Sequence, residues 1–230
     1  MAATTTNAAA CSEEEAFDIL DQLIDILERD PLIDEVGFVH PSQIQALSEG
    51  ANTGSRSTEV FQKDEVLDNN DVQKKRWAFW HGDHKLGIST HFLPLLYVAA
   101  KHKFMASCMK YRISTEASKK QMDGDDQDIG ISLAFSKIEM EVIRHSKALL
   151  LLCGDFGTAW NTRKHIGTSK QNLLLFMDEL QLSTLILSVA PKTECAWSHR
   201  RWVIKMLAGS ANLAEILEQE SLLVEKLAEV

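Results

Sequence analysis

The segment CAWSHRRWVIK, residues 195–205, has a histidine and two arginines between two tryptophans, and a lysine follows the second tryptophan. Pro191 and Lys192 precede the segment at a predicted turn into a helix. His199 and Arg201 are candidates to project from that helix. A helix N-terminus with cations close by favours a phosphate or diphosphate, because its backbone N–H groups and its dipole both attract anions. The pattern therefore indicates an anion contact at Lys192.

The segment belongs to an internal repeat. DFGTAWNTRKHI (155–166) aligns with KTECAWSHRRWV (192–203) at an offset of 37 residues. The same offset aligns the preceding apolar segments, placing Ser146 on Ser183. A period of this length with two helices per unit is typical of an α-solenoid, in which stacked helical hairpins share one continuous core.

The repeated positions favour a structural role. A tryptophan that recurs at a fixed period commonly fills the layer between helices, and an arginine suits a fixed bidentate contact. We therefore interpret most of the motif as repeat framework, with each arginine bound to carbonyls or carboxylates of an adjacent helix. The framework residues are Trp160, Asn161, Arg163, Trp197, His199, Arg200 and Arg201.

Long, dense apolar segments with helical spacing surround the motifs. Residues 131–153 and 171–190 predict helices with wide buried faces, and 212–230 predicts the start of a third unit without its tryptophan motif. We therefore predict an all-α fold in which 131–230 holds two complete repeats and an incomplete third. Residues 1–130 are expected to form an N-terminal helical region with a long polar loop at 48–71.

The repeat resembles the α subunits of protein prenyltransferases, whose second helices carry the pattern W-x-x-R. Residues 191–207 resemble a well-formed copy, and 154–166 resemble a copy with Lys164 in place of the second arginine. With their preceding helices the two copies cover roughly a third of the chain. The resemblance implies a right-handed α-α superhelix of helical hairpins.

The resemblance also implies a division of labour between two subunits. In such enzymes a β subunit holds the zinc, the isoprenoid pocket and most of the protein-substrate site, so we expect no cofactor in this chain. Lys192 matches the lysine that contacts the isoprenoid diphosphate, since Pro191 and Trp197 fit its P-K-x-Y-x-x-W context. The tyrosine of that context is Glu194 here, which weakens the transfer.

Three other patterns are better explained without ligands. WHGDH (80–84) suggests a metal, but Gly82 favours a turn and further ligands are missing. The acidic residues in 122–130 lack the glycine and the final glutamate of a calcium loop. The cations at 74–76 beside Trp77 lie in acidic surroundings, which disfavours nucleic-acid binding.

The composition indicates the cellular compartment and excludes two classes of partner. The formal net charge is −9, although residues 137–208 carry 10 Lys+Arg against 6 Asp+Glu. The four cysteines are widely spaced, and the longest apolar run, 92–100, is far short of the roughly 20 residues that span a bilayer. We therefore expect a cytoplasmic protein that neither binds nucleic acid nor inserts into a membrane.

Two functions remain open. The first is the α-type subunit of a heterodimeric geranylgeranyl- or farnesyltransferase, which is inactive without its β subunit. The alternative is a non-catalytic helical-repeat module that binds a partner protein. The two functions are separated by testing whether a β-type subunit co-purifies with the chain and whether the recovered complex transfers lipid.

Overall fold

The structure is a computed structural model that describes residues 5–51, 78–120, 129–209 and 213–228. The predicted polar loop at 48–71 lies outside these ranges beyond residue 51. The acidic segment lies outside them at 122–128, as do the cations and the tryptophan at 74–77.

Eight helices and three strands make up the described part of the chain. They are α1 (Thr5–Arg29), β1 (Glu35–Val39), α2 (Pro41–Ala51), β2 (Phe79–Gly82), β3 (Lys85–Ser89), α3 (Leu93–Lys120), α4 (Ile129–Leu152), α5 (Gly157–Lys170), α6 (Leu173–Val189), α7 (Glu194–Met206) and α8 (Leu213–Ala228). The mostly helical fold predicted from the sequence is confirmed. Within the described part, no helix is both long and apolar enough to cross a membrane.

The chain divides into two compact units, residues 1–99 and 100–230. The border between the units falls within α3. The sequence-based border at residue 130 marks the start of the repeats and stays a prediction.

The first unit contains a small sheet that the sequence analysis missed. Its strand order is β1-β3-β2, with β1 parallel and β2 antiparallel to β3. Buried apolar side chains of α1, of the strands and of α2 form its core. They include Ile19, Leu20, Leu23, Val36, Ile44, Leu86 and Ile88. The expectation of a purely helical N-terminal region is therefore wrong for 35–39 and 79–89.

The turn between β2 and β3 is tied to the end of α1. Asp83 and His84 have φ values of 48° and 59°, the left-handed conformation that a two-residue hairpin turn requires. His84 Nδ1 lies 2.9 Å from Asp30 Oδ1, and His81 Nε2 lies 2.8 Å from Asp30 Oδ2. These contacts explain the WHGDH pattern as an anchored turn.

The second unit holds the repeats. The first repeat consists of α4 and α5, the second of α6 and α7, and α8 begins a third. Asn172 ends the two-residue connection between the first two repeats, and its side chain accepts a hydrogen bond from the Leu174 N–H as the N-cap of α6. An apolar cluster joins the second repeat to α8. Its buried members are Phe176, Leu180, Val203, Leu207 and Ile216.

Close packing between the repeats requires a glycine at the end of α4. A Cβ atom on Gly154 would lie 2.9 Å from Ile186 Cγ2 and 3.1 Å from Thr193 Cγ2, in the second repeat. The same glycine offers its carbonyl to the first tryptophan of the motif, Trp160, at 2.7 Å. The connection after α4 therefore contacts both repeats.

We predict that Gly154→Ala lowers the free energy of unfolding by about 1–3 kcal/mol, because the added methyl overpacks the contact with Ile186 and Thr193. The matched control is Gly157→Ala, whose Cβ atom meets nothing within 4 Å. Urea denaturation of both variants measures the difference. Equal stability of the two variants would contradict the packing described.

Candidate functional site

Arg163 lies in the first repeat, and both sides of its guanidinium group form hydrogen bonds. Its Nε donates to Glu179 Oε2 at 2.9 Å, and its Nη2 lies 2.8 Å from Glu179 Oε1. Its Nη1 donates to the Ile143 carbonyl and to Ser146 Oγ, each at 2.7 Å. The two charged side chains are 2% and 1% exposed. One buried guanidinium therefore joins α4, α5 and α6.

Arg200 makes the same set of contacts one repeat later. Its Nη1 donates to the Leu180 carbonyl at 2.7 Å and to Ser183 Oγ at 2.9 Å, the positions 37 residues after Ile143 and Ser146. Its other nitrogens form a fork with the Glu220 carboxylate, Nε donating at 2.6 Å. The repeat seen in the sequence is thus a repeat of hydrogen bonds.

The tryptophans follow the same offset. Trp160 Nε1 donates to the Gly154 carbonyl at 2.7 Å, and Trp197 Nε1 donates to the Pro191 carbonyl at 2.8 Å. Each indole therefore holds the loop that precedes its own helix. This contact satisfies the polar edge of a ring whose remaining surface packs among the helices.

His199 is buried and does not project from its helix, whereas Arg201 is exposed. The side chain of His199 is fully buried, and its Nε2 lies 2.8 Å from Glu179 Oε2. Its ring lies between two indoles, with centroid separations of 4.4 Å to Trp160 and 5.2 Å to Trp202. The histidine thus connects α7 to Glu179 of α6 and to Trp160 of α5.

The electrostatics of this cluster favour a charged pair beside a neutral histidine. Burial opposes ionisation of Glu179, but the Arg163 guanidinium and the hydrogen bond to His199 outweigh it and lower the pKa of Glu179 to about 2. Burial lowers the pKa of His199 despite the favourable contact with Glu179. A neutral His199 then donates from Nε2 to the carboxylate.

The remaining cations and polar groups of the motif are on the surface. Lys192, Arg201 and Asn161 are exposed. Arg201 Nη2 lies 3.5 Å from the carboxylate of Glu194, which is itself 86% exposed. Lys192 occupies the turn before α7, whose N-cap residue makes no side-chain capping bond. An anion reaching the motif would therefore meet Lys192 and Arg201, together with Glu194.

The acidic partners of the two arginines were not predicted from the sequence. Glu179 follows Arg163 by 16 residues and Glu220 follows Arg200 by 20 residues, so the pairs do not share the offset of 37. A search for a charged residue on an otherwise apolar helical face would have found Glu179, because it follows Phe176 by three residues and adjoins Leu180.

The described residues bring together no group of three or more His, Cys, Asp or Glu side chains suited to a metal ion. The cysteines with described side chains, Cys108, Cys153 and Cys195, are free thiols. This part of the chain therefore does not fit a zinc ion.

We predict that Arg163→Lys lowers the free energy of unfolding by about 2–4 kcal/mol. A single ammonium keeps the charge but cannot replace the fork to Glu179 and both contacts on α4. Arg201→Lys is the matched control, and chemical denaturation should show it within about 0.5 kcal/mol of the parent. An Arg163→Lys protein as stable as its control would contradict the buried network.

We also predict that His199 makes the protein less stable as the pH falls below neutrality. Its folded pKa is lowered, so the unfolded chain takes up the proton first. Stability therefore declines once the pH passes below the unfolded value of about 6.5, with a slope of up to about 1.4 kcal/mol per pH unit until the folded group titrates.

The measurement compares unfolding of the parent and His199→Gln between pH 7.5 and pH 5. This window lies above the region between about 4.3 and 2 in which the contribution of Glu179 is lost. The variant should lack the decline attributed to His199, whereas substitution of the exposed His91 should leave it in place. Parallel pH profiles for the parent and His199→Gln would refute the assignment.

Comparisons with known proteins agree with the geometry. The family model described as protein prenyltransferase alpha subunit repeat matches residues 176–207, most of the second repeat. Protein prenyltransferase alpha subunit repeat-containing protein 1-A of Xenopus laevis is 36% identical over 85 residues, which are 37% of this chain and 19% of that protein. Protein prenyltransferase alpha subunit repeat-containing protein 1 of Homo sapiens is 38% identical over 82 residues, which are 36% of this chain and 20% of that protein.

The match spans about a fifth of the length of these curated relatives. The hydrogen bonds of Arg163 and Trp160 extend the same construction to the first repeat, outside the segment that the family model matches. Residues 176–207 therefore hold a protein prenyltransferase alpha subunit repeat, and the hydrogen bonds of the first repeat follow the same pattern.

Proposed function

We propose that the chain acts in the cytoplasm as the α-type subunit of a heterodimeric protein prenyltransferase, which transfers a geranylgeranyl or farnesyl group to protein cysteines. The observation that carries the proposal is the set of hydrogen bonds around Arg200, in the segment that matches the prenyltransferase alpha subunit repeat, and its recurrence around Arg163 one repeat earlier. The names of the similar proteins support the same class.

A scaffolding role follows from the state of the motif side chains. Arg163, Arg200 and His199 are buried and already bound to Glu179, Glu220 or backbone carbonyls. Binding a substrate through them would break contacts of the repeats, since unpaired buried charges are costly. These residues therefore hold the helices in place and leave recognition to the exposed side chains.

Lys192 is the side chain we assign to the isoprenoid diphosphate at the subunit interface. It is exposed at the turn into α7, close to the N–H groups of a 13-residue helix, and Arg201 lies on that helix. A fixed cation and a helix N-terminus both stabilise the negative charge that develops on a departing diphosphate. Glu194 opposes this effect, which makes the partner subunit the source of most of the stabilisation.

The partner must supply the rest of the chemistry. Alkylation of a cysteine by an allylic diphosphate requires a thiolate, whose pKa a zinc ion lowers. In line with the resemblance to prenyltransferase α subunits, we assign the zinc and the isoprenoid pocket to a β subunit. The chain alone is then inactive.

We predict that a β-type prenyltransferase subunit co-purifies with this chain and that only the complex transfers a geranylgeranyl or farnesyl group to a protein cysteine. Lys192→Ala should assemble normally and lower turnover by about tenfold or more, because it removes one preorganised cation. The exposed Lys205 on α7 provides the matched control, and Lys205→Ala should leave turnover unchanged.

The possible results separate the parts of the proposal. Full turnover in Lys192→Ala would refute the diphosphate contact but keep the subunit role. A folded, helical chain that binds no β subunit would refute the subunit role.

A further inference from the structure

A strip of exposed apolar side chains runs along α3 and takes no part in the repeat framework. Met105, Met109 and Ile113 are 47%, 67% and 63% exposed and lie four residues apart, so they share one face of the helix. The opposite face of α3 is buried, with Phe104, Ser107, Cys108 and Tyr111 facing the interior. The strip is therefore the outer face of a helix that the fold already holds.

The size and composition of the strip suit a helical partner. Eight residues separate its ends, which is about 12 Å along the axis and matches two turns of a second helix. Methionine adapts its shape to a partner and is enriched at interfaces. Side chains spaced four residues apart form a ridge, and the apolar side chains of an amphipathic helix can pack into the grooves beside it.

The charged side chains around the strip indicate that the partner carries negative charge. Between residues 101 and 117 the exposed charged side chains are Lys101, Lys110 and Arg112 against Glu116 alone. Lys110 also lies 3.6 Å from Glu141 of α4 and remains 63% exposed. The excess of cations attracts carboxylates at the edges of a docking helix.

The shape of the strip argues against a lipid surface. The strip offers three apolar side chains and no exposed aromatic residue, whereas helices that lie in a membrane interface combine a wide apolar face with Trp or Phe. A protein partner is favoured on this ground.

We propose that this strip of α3 is a docking surface for an acidic amphipathic helix of a separate protein partner. The inference goes beyond the proposed function and does not depend on β-subunit binding.

The chain itself provides a probe with the required chemistry. Helix α8 combines exposed Leu217, Leu222 and Val224 with several glutamates. A fluorescently labelled peptide of residues 213–228 should bind the full-length chain, as measured by anisotropy. A control peptide with lysine at positions 215, 218, 220 and 225 should bind at least about tenfold more weakly.

Substitutions in the chain locate the binding. Arg112→Glu and Met109→Glu should each weaken binding of the acidic peptide by about tenfold or more, because one reverses a flanking charge and the other places a charge in the apolar strip. Leu174→Glu is the matched control, since Leu174 is 73% exposed on α6 and should change binding less than twofold. Circular dichroism verifies that each variant is folded.

Several results would overturn the proposal. They are equal binding of the acidic and basic peptides, or peptide binding that Met109→Glu leaves intact. Binding to phosphatidylserine vesicles that Met109→Glu abolishes would replace the protein partner by a membrane. A dimer of the chain, seen by sedimentation velocity and dissolved by Arg112→Glu, would replace it by a second copy.

Discussion

The second unit depends on burying one arginine without leaving its charge unpaired. Arg163 and Glu179 are almost completely enclosed, and neither side chain could stay ionised there alone without a penalty of several kcal/mol. The fork between them forces α5 against α6, and the contacts of Nη1 with Ile143 and Ser146 fix both to α4. Three helices are thus positioned by one polar side chain.

The network also joins successive repeats. Arg163 of the first repeat binds Glu179 of the second, and the ring of His199 in the second repeat packs on Trp160 of the first. Arg200 repeats the contacts of Arg163 and continues them to Glu220 on α8. Because these groups satisfy one another, binding a ligand through them would break contacts that hold the repeats together.

The helical repeats were predictable from the sequence because both of their signals are local or periodic. Apolar residues at helical spacing predict the helices, and the offset of 37 aligns Trp160 with Trp197. The pairing of each arginine with its glutamate was not predictable from that offset, since the position 37 residues after Glu179 is Ile216.

Two other features depend on tertiary contacts and escaped the sequence analysis. The strands of the first unit are four or five residues long, too short for a clear alternating pattern, and β1 pairs with β3 across 50 residues. The contacts of His199 were also not predicted. Its burial depends on the indole rings of Trp160 and Trp202 and on the carboxylate of Glu179, which lie in three different helices.

A double-mutant cycle on Arg163 and Glu179, followed by urea denaturation, tests the central claim most directly. The account predicts that Arg163→Met and Glu179→Leu are each strongly destabilising and that the double variant is more stable than either single variant, because it leaves no buried charge unpaired. Additive losses in the double variant would contradict it, since they would mean that the two side chains act independently.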